Sequence, residues 1–346
     1  MSAAPGRPKL ARTAARQSEG TLMTVKPNLA LAVSRRSTIT LIVGALLLAV
    51  LFLLSPTASG ESPAGVTFWL ATLLLAVLAV AGIRRLAAWD GHSIYATLTA
   101  ALFGLWMLYF WQLLMVALDV PRVLLPAPWL ILQSLFDNLP KLGEDFVQTV
   151  VKAVLIGWAL GSALGFAVAV MIDRMPFLQR GLLPVASLTS TIPLVGVAPI
   201  MVMWFGFEWP SKAAVVVLMT FFPMLVSTLA GLQASNRIER ELMHSYAASY
   251  GRTLWSLRLP AALPFMFAAL KVNATLALIG AIVAEFFGSP TSGLGFRIST
   301  EATKMNMTLV WAAVVVAAVT GSVAYALLVS LERRAAFWHP SVRGKK

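Results

Sequence analysis

Gln233-Ala-Ser-Asn-Arg-Ile-Glu-Arg-Glu-Leu-Met-His-Ser-Tyr-Ala-Ala-Ser-Tyr-Gly-Arg252 stands between two long apolar runs and leads into Leu259-Pro260-Ala-Ala-Leu-Pro264. Arg240 to Tyr250 contains no Pro or Gly and predicts a short helix, with Asn236 as its N-cap and Glu239 three residues on. Leu242, Met243 and Tyr246 fall on one side of it, and Ala247 leaves room for close approach. Gly251 is expected to end the helix, and Pro260 suits the first turn of the next one. A polar helix between two apolar runs suits the docking of a soluble partner. An amphipathic helix lying on lipid is the competing reading, and its mixed charges argue against it.

The rest of the chain sets the surroundings of that stretch. Of its 346 residues, 59% are hydrophobic and 12% charged, against about a quarter charged in a soluble domain. Apolar runs at about 38–55, 66–83, 94–118, 146–171, 182–206, 212–231, 262–287 and 308–331 each approach the ~20 residues that cross a bilayer as a helix. The expectation is therefore an all-α, polytopic membrane protein of eight helices. There is no cysteine, which excludes disulfides and thiolate chemistry, and the three histidines show no metal-ligand spacing.

Charge sets the expected orientation. With the N-terminus inside, 20 of the 27 Lys and Arg residues fall in cytoplasmic segments and five outside, while Lys152 and Lys271 lie within spans. Both termini and the 233–264 stretch are thus expected in the cytoplasm. The same distribution explains most of the net charge of +13 without nucleic acid. Residues 1–37 read as a disordered basic tail, 38–120 as three added N-terminal helices, and 121–145 as an external interfacial elbow with Trp129 as anchor. Residues 146–332 read as a five-helix core and 333–346 as a basic cytoplasmic tail.

Within the core, Gly157, Gly161 and Gly165 recur every fourth residue, a pattern that lets two membrane helices approach closely. Pro193 and Pro199 interrupt the fifth span, and Pro223 interrupts the sixth after Phe221 and Phe222. Broken helices of this kind line substrate paths in transporters, although a structural kink explains them equally well. Lys271 and Glu285 are charges at membrane depth and hence pathway candidates. Snorkelling of Lys271, and a place near the outer surface for Glu285, are the structural alternatives. Gly288-Ser-Pro-Thr-Ser-Gly-Leu-Gly295 has Leu294 where a phosphate loop needs Lys, so a turn is expected and no ATP site on this chain.

Counting back from Leu259-Pro260 places Leu257, Ala247 and Glu241-Leu242-Met243 at the spacing of the cytoplasmic motif of bacterial ABC importer permeases. That motif reads Glu-Ala-Ala, three residues, Gly, nine residues, Ile, any residue, Leu-Pro. This chain has Leu and Met for the two alanines and Ala247 for the glycine. From about Val147 to Glu332 the chain resembles the type I importer transmembrane domain, in the branch that includes nitrate, sulfonate and taurine permeases. Ala198-Pro-Ile-Met-Val-Met-Trp-Phe-Gly206, Phe221-Phe-Pro-Met-Leu-Val-Ser-Thr-Leu-Ala-Gly231 and Gly293-Leu-Gly-Phe-Arg297 carry that likeness. Ile279-Gly-Ala-Ile-Val-Ala-Glu-Phe-Phe287 and Phe337-Trp-His-Pro340 resemble permeases for pyrimidine precursors and riboflavin.

The resemblance implies a permease rather than an enzyme, in a bacterial inner membrane. It implies two copies of a cytoplasmic ATPase holding ATP and Mg, an extracytoplasmic substrate-binding protein, and a second permease subunit making a homodimer. A small heterocycle is the first expected substrate, with Trp204, Phe205, Phe221 and Phe222 as aromatic lining. A sulfonate, nitrate or taurine is the alternative. A secondary transporter would need paired buried carboxylates or an inverted repeat, and a membrane enzyme a polar cluster at the membrane face. Neither is evident in the sequence.

Overall fold

The computed structural model describes residues 27–53, 65–88, 93–175, 194–288 and 291–339, and among them every regular element is helical. Pro193 lies outside the described residues. The chain divides into two compact units, Met1–Pro121 and Arg122–Lys346.

The first unit holds α1 (Pro27–Leu53), α2 (Val66–Ala87) and α3 (Ser93–Ala117). Its interior is built from small and aromatic residues. Ala45, Ala49, Leu75, Ala79 and Trp106 are buried together, and the Tyr109 hydroxyl donates to the Ala49 carbonyl at 3.1 Å.

The second unit holds α4 (Pro128–Asp137), α5 (Leu139–Arg174), α6 (Leu194–Phe205), α7 (Trp209–Gln233), α8 (Arg237–Ser245), α9 (Tyr250–Phe287), α10 (Leu294–Thr303) and α11 (Met307–Ala335). Among the described residues, six helices are long and apolar enough to cross a membrane: α2, α3, α5, α7, α9 and α11. Of the other two expected runs, 38–55 contains the apolar stretch Thr38–Val50 in α1, and 182–206 lies partly outside the described residues, its described part holding Gly196–Phe205 in α6.

The centre of this unit is α7, which packs most extensively against α5 and α9. The close approach comes from the glycines of α5. A Cβ on Gly157 would meet Val216 Cβ at 2.6 Å and the Ala213 carbonyl at 2.8 Å. One on Gly161 would stand 2.7 Å from the Val217 carbonyl and overlap the Thr220 hydroxyl, and one on Gly165 would overlap the Phe221 carbonyl. With lipid on the outside, helices gain little by hiding apolar surface, so backbone proximity and shared hydrogen bonds hold the core.

One such knot lies at mid-span. Asn273 of α9 is fully buried and donates to the Thr220 carbonyl at 2.7 Å and the Ser162 hydroxyl at 3.2 Å, joining all three helices. Helix α5 is not regular throughout. Val147–Leu155 is π-helical, a rare conformation with i→i+5 hydrogen bonds.

Candidate functional site: an exposed polar helix and two polar clusters at opposite ends of the core

Helix α8 begins where the sequence places it. The Asn236 side chain accepts the Ile238 N–H at 3.0 Å, the N-cap arrangement that satisfies a free helix donor. None of its residues is buried: Ile238 and Leu242 are 73% and 54% exposed, and Tyr246, the residue just past its end, is 77% exposed. Spaced four apart, these three make an apolar stripe that nothing in the described residues covers. Glu239 and Glu241 are exposed too, and Glu241 pairs with Arg237 at 2.8 Å.

The end of the helix corrects the expectation. α8 stops at Ser245, and Ala247 carries the reversal with φ of +51°, in the left-handed region. Gly251 does not end this helix. It lies within the first turn of α9, which Ser249 caps by accepting the Arg252 N–H at 3.4 Å. A left-handed Ala costs about 1 kcal/mol relative to Gly, because its Cβ crowds the next carbonyl. Ala247→Gly is therefore expected to stabilise the protein by about that amount, read as a rise in thermal unfolding temperature of the detergent-solubilised chain.

Beyond Gly251 the chain re-enters the bundle. Leu257, Leu259 and Pro260 are half-buried, and Pro260 occupies the first turn of the regular part of α9. The residue that anchors this entry is Leu254, which sequence reading did not single out. It is buried with Leu232 and Ala262. Beside it, Arg258 donates to both oxygens of Asp173 at 2.6 and 2.7 Å and to the Leu232 carbonyl at 3.0 Å.

A second polar cluster lies at the opposite end of these helices. Asp145 is fully buried and accepts from Arg297 Nε at 2.7 Å and from the Gly293 N–H at 2.8 Å. The Thr149 hydroxyl accepts the Leu294 N–H at 2.7 Å and donates to Glu285 Oε1 at 2.7 Å, and Glu285 Oε2 accepts the Gly295 N–H at 2.7 Å. Three successive N–H groups at the start of α10 are thus taken by Asp145, Thr149 and Glu285. Such a helix start attracts anions, and here the chain supplies its own carboxylates. Gly293, at φ of +137°, allows them to come this close. Further along α10, burial pushes the Glu301 carboxyl up. Hydrogen bonds from Asn306 and Lys304 and the nearby Arg297 charge outweigh that, leaving it below its ordinary value.

Three charges have partners that the sequence alone did not reveal. Glu285, two residues before the end of α9, is 3% exposed and engaged in this cluster. Lys271 reaches the last turns of α11, where its ammonium pairs with Glu332 at 2.7 Å, the direction in which a snorkelling lysine would extend. Lys212, counted among outer-loop charges, is 1% exposed and donates to the Phe207, Glu208 and Gly288 carbonyls, capping the end of α9.

The aromatic candidates separate as well. Phe221 and Phe222 are half-buried, packed beside Ala169, Ile172, Leu225 and Leu229, with Pro223 next to them also half-buried. Trp204 and Phe205 of α6 are 70% and 52% exposed, and Pro199 is exposed on the same helix.

A bundle of helices long and apolar enough to cross a membrane, beside one short exposed polar helix, describes a multi-pass membrane protein. Residues 161–337 match the family described as binding-protein-dependent transport system inner membrane component, and the chain belongs to that family. It is 31% identical over 238 residues to the formylaminopyrimidine transport permease protein of Halalkalibacterium halodurans, covering 69% of this chain and 94% of that relative. It is 28% identical over 237 residues to the riboflavin transport system permease protein of Chloroflexus aurantiacus, covering 68% and 88%. A third relative, the taurine transport system permease protein of Escherichia coli, is 28% identical over 211 residues, covering 61% and 73%. The chain is thus an ABC importer permease, a transport subunit rather than an enzyme, and works in a system with a substrate-binding protein and an ATPase.

Proposed function

We propose that this permease docks a cytoplasmic ATPase on α8 and imports a small heterocycle of the pyrimidine-precursor or riboflavin kind. The observation that carries the docking is the exposed stripe of Ile238, Leu242 and Tyr246 on a helix with no buried residue. Both termini and α8 face the cytoplasm in this reading, in keeping with the distribution of Lys and Arg. Residues 146–332 form the transport core, and residues 38–120 are an added module. Two permease copies form a homodimer around the pathway, and two ATPase copies hold the ATP and Mg. ATP-driven closure of the ATPases moves the docked helices and rocks the pathway between its two openings.

Exposed Trp204 and Phe205 on α6 favour an aromatic substrate, as do the relatives for formylaminopyrimidine and riboflavin. One observation favours the second reading, a sulfonate, nitrate or taurine. Lys152 is exposed on α5, and its ammonium reaches Gln148 Oε1 at 3.2 Å, with no carboxylate partner among the described residues.

Uptake by the complete importer tests the docking. The double variant Glu241→Lys/Ala247→Asp is expected to abolish uptake while the protein remains in the membrane, and uptake at the wild-type rate would refute the reading. Calorimetric titration of the cognate binding protein tests the substrate: heterocycle binding is expected. Tight sulfonate binding without heterocycle affinity would move the assignment to the second class.

A further inference from the structure

Helix α8 has little packing grip of its own among the described residues, since none of its residues is buried and Met243 alone is half-buried. The firm ties that carry a displacement of it into the bundle are those of the chain at its two ends. Both ends meet at one place, the Leu232 carbonyl, which accepts from Ser235 Oγ at 3.4 Å on the upstream side and from Arg258 Nε at 3.0 Å on the downstream side.

The remainder of the Arg258 guanidinium grips Asp173 in the last turn of α5 through two bonds. The Tyr250 hydroxyl donates to the same carboxylate at 2.9 Å, and the Arg174 guanidinium lies over the Tyr250 ring at 5.7 Å. The side chains of Arg258 and Asp173 are only 13% and 6% exposed. Burying two charges costs most of what their attraction returns, so such a pair is better suited to fixing geometry than to adding stability. A two-pronged guanidinium–carboxylate contact fixes both distance and orientation, which a lysine could not do.

What the cluster grips is itself stiff. α5 and α9 run antiparallel and are tied again at Ser162–Asn273, at Trp158 Nε1 to the Leu270 carbonyl at 3.3 Å, and at Thr149–Glu285. Fixing the α8 end of this pair therefore orients its whole length.

We propose that Asp173, Arg258 and Tyr250 are positioning residues for coupling: they make α5, α7 and α9 follow the docking helix as one body. Without them the segment from Tyr246 to Arg258 absorbs the movement. This rests on the docking of an ATPase on α8.

The test uses the absence of cysteine from the chain. A single reporter, Met203→Cys on the exposed part of α6, is labelled with a maleimide in the permease–ATPase complex, reconstituted in lipid nanodiscs with and without ATP. Met203 is 83% exposed and belongs to neither polar cluster. The ATP-dependent change in labelling rate is expected to fall about tenfold in Asp173→Asn, within the usual range of coupling between distant sites. The ATPase still co-purifies, and the labelling rate without ATP is unchanged. Tyr250→Phe, which deletes one hydrogen bond, gives a smaller loss at an unaltered unfolding temperature, and Asp173→Glu retains most of the response. A full-sized response in Asp173→Asn and Tyr250→Phe overturns the proposal, and so does a loss that merely tracks a falling unfolding temperature. Docking is scored separately. An ATPase that stays bound and coupled in Leu242→Asp/Tyr246→Asp refutes docking on α8 and the coupling role with it. Release by that variant, together with a labelling response untouched by Asp173→Asn, overturns the coupling role alone.

Discussion

Gly161→Leu is expected to destabilise the core by about 3 kcal/mol or more, at the upper end of what overpacking a well-filled site costs. The reason is the neighbour it would strike. The added Cβ would overlap the Thr220 hydroxyl and stand 2.7 Å from the Val217 carbonyl and 2.9 Å from Val217 Cα, so backbone rather than a flexible side chain has to yield. Moving α5 away from α7 also pulls Ser162 and Thr220 away from Asn273, leaving buried polar groups unpaired in a medium without water. The loss is measured as a lower unfolding temperature of the solubilised protein. Gly143→Leu is the control, since a Cβ there meets nothing within 4 Å. Equal effects at the two sites would count against the close α5–α7 contact.

Arg297→Leu is expected to be of similar size, about 3–5 kcal/mol, by a different route. It removes the guanidinium from a carboxylate that is fully buried, and an uncompensated charge at Asp145 is far more costly than a missing bond. The start of α10 loosens with it, because Asp145 also accepts the Gly293 N–H. The double variant Asp145→Asn/Arg297→Leu is expected to recover most of the loss, since a neutral amide can still accept that N–H. Unfolding measurements on both variants give the answer, and a double variant no more stable than the single one would contradict it.

What was legible in the sequence was local. Hydropathy over about twenty residues marks a span whatever its neighbours are, and glycines four apart share a helix face without reference to the partner helix. The Asn236 cap is likewise contained within three residues. The polar clusters were not legible, because Asp173 and Arg258 are 85 residues apart and Asp145 and Arg297 are 152 apart. Read singly, Arg258, Arg297 and Lys212 are topology markers, and counting them by side treats each as solvated. Folding instead commits all three to acceptors inside the second unit. The end of α8 was misread for another reason. Gly251 looked like a terminator because glycine tolerates left-handed backbone, whereas the left-handed position is held by Ala247, whose side chain gives no such signal.

The π-helical stretch of α5 has a consequence for how this helix can serve two partners. Asp145 and Thr149 turn toward α10 and the end of α9, whereas Gly157, Gly161 and Gly165 turn toward α7. A regular helix advances about 100° per residue, which fixes the angle between any two of its faces once their spacing is chosen. Widening the turn over Val147–Leu155 sweeps fewer degrees per residue. The segment therefore acts as a phase shifter, setting the carboxylate face and the glycine face at an azimuth that the same residues in an unbroken helix would miss.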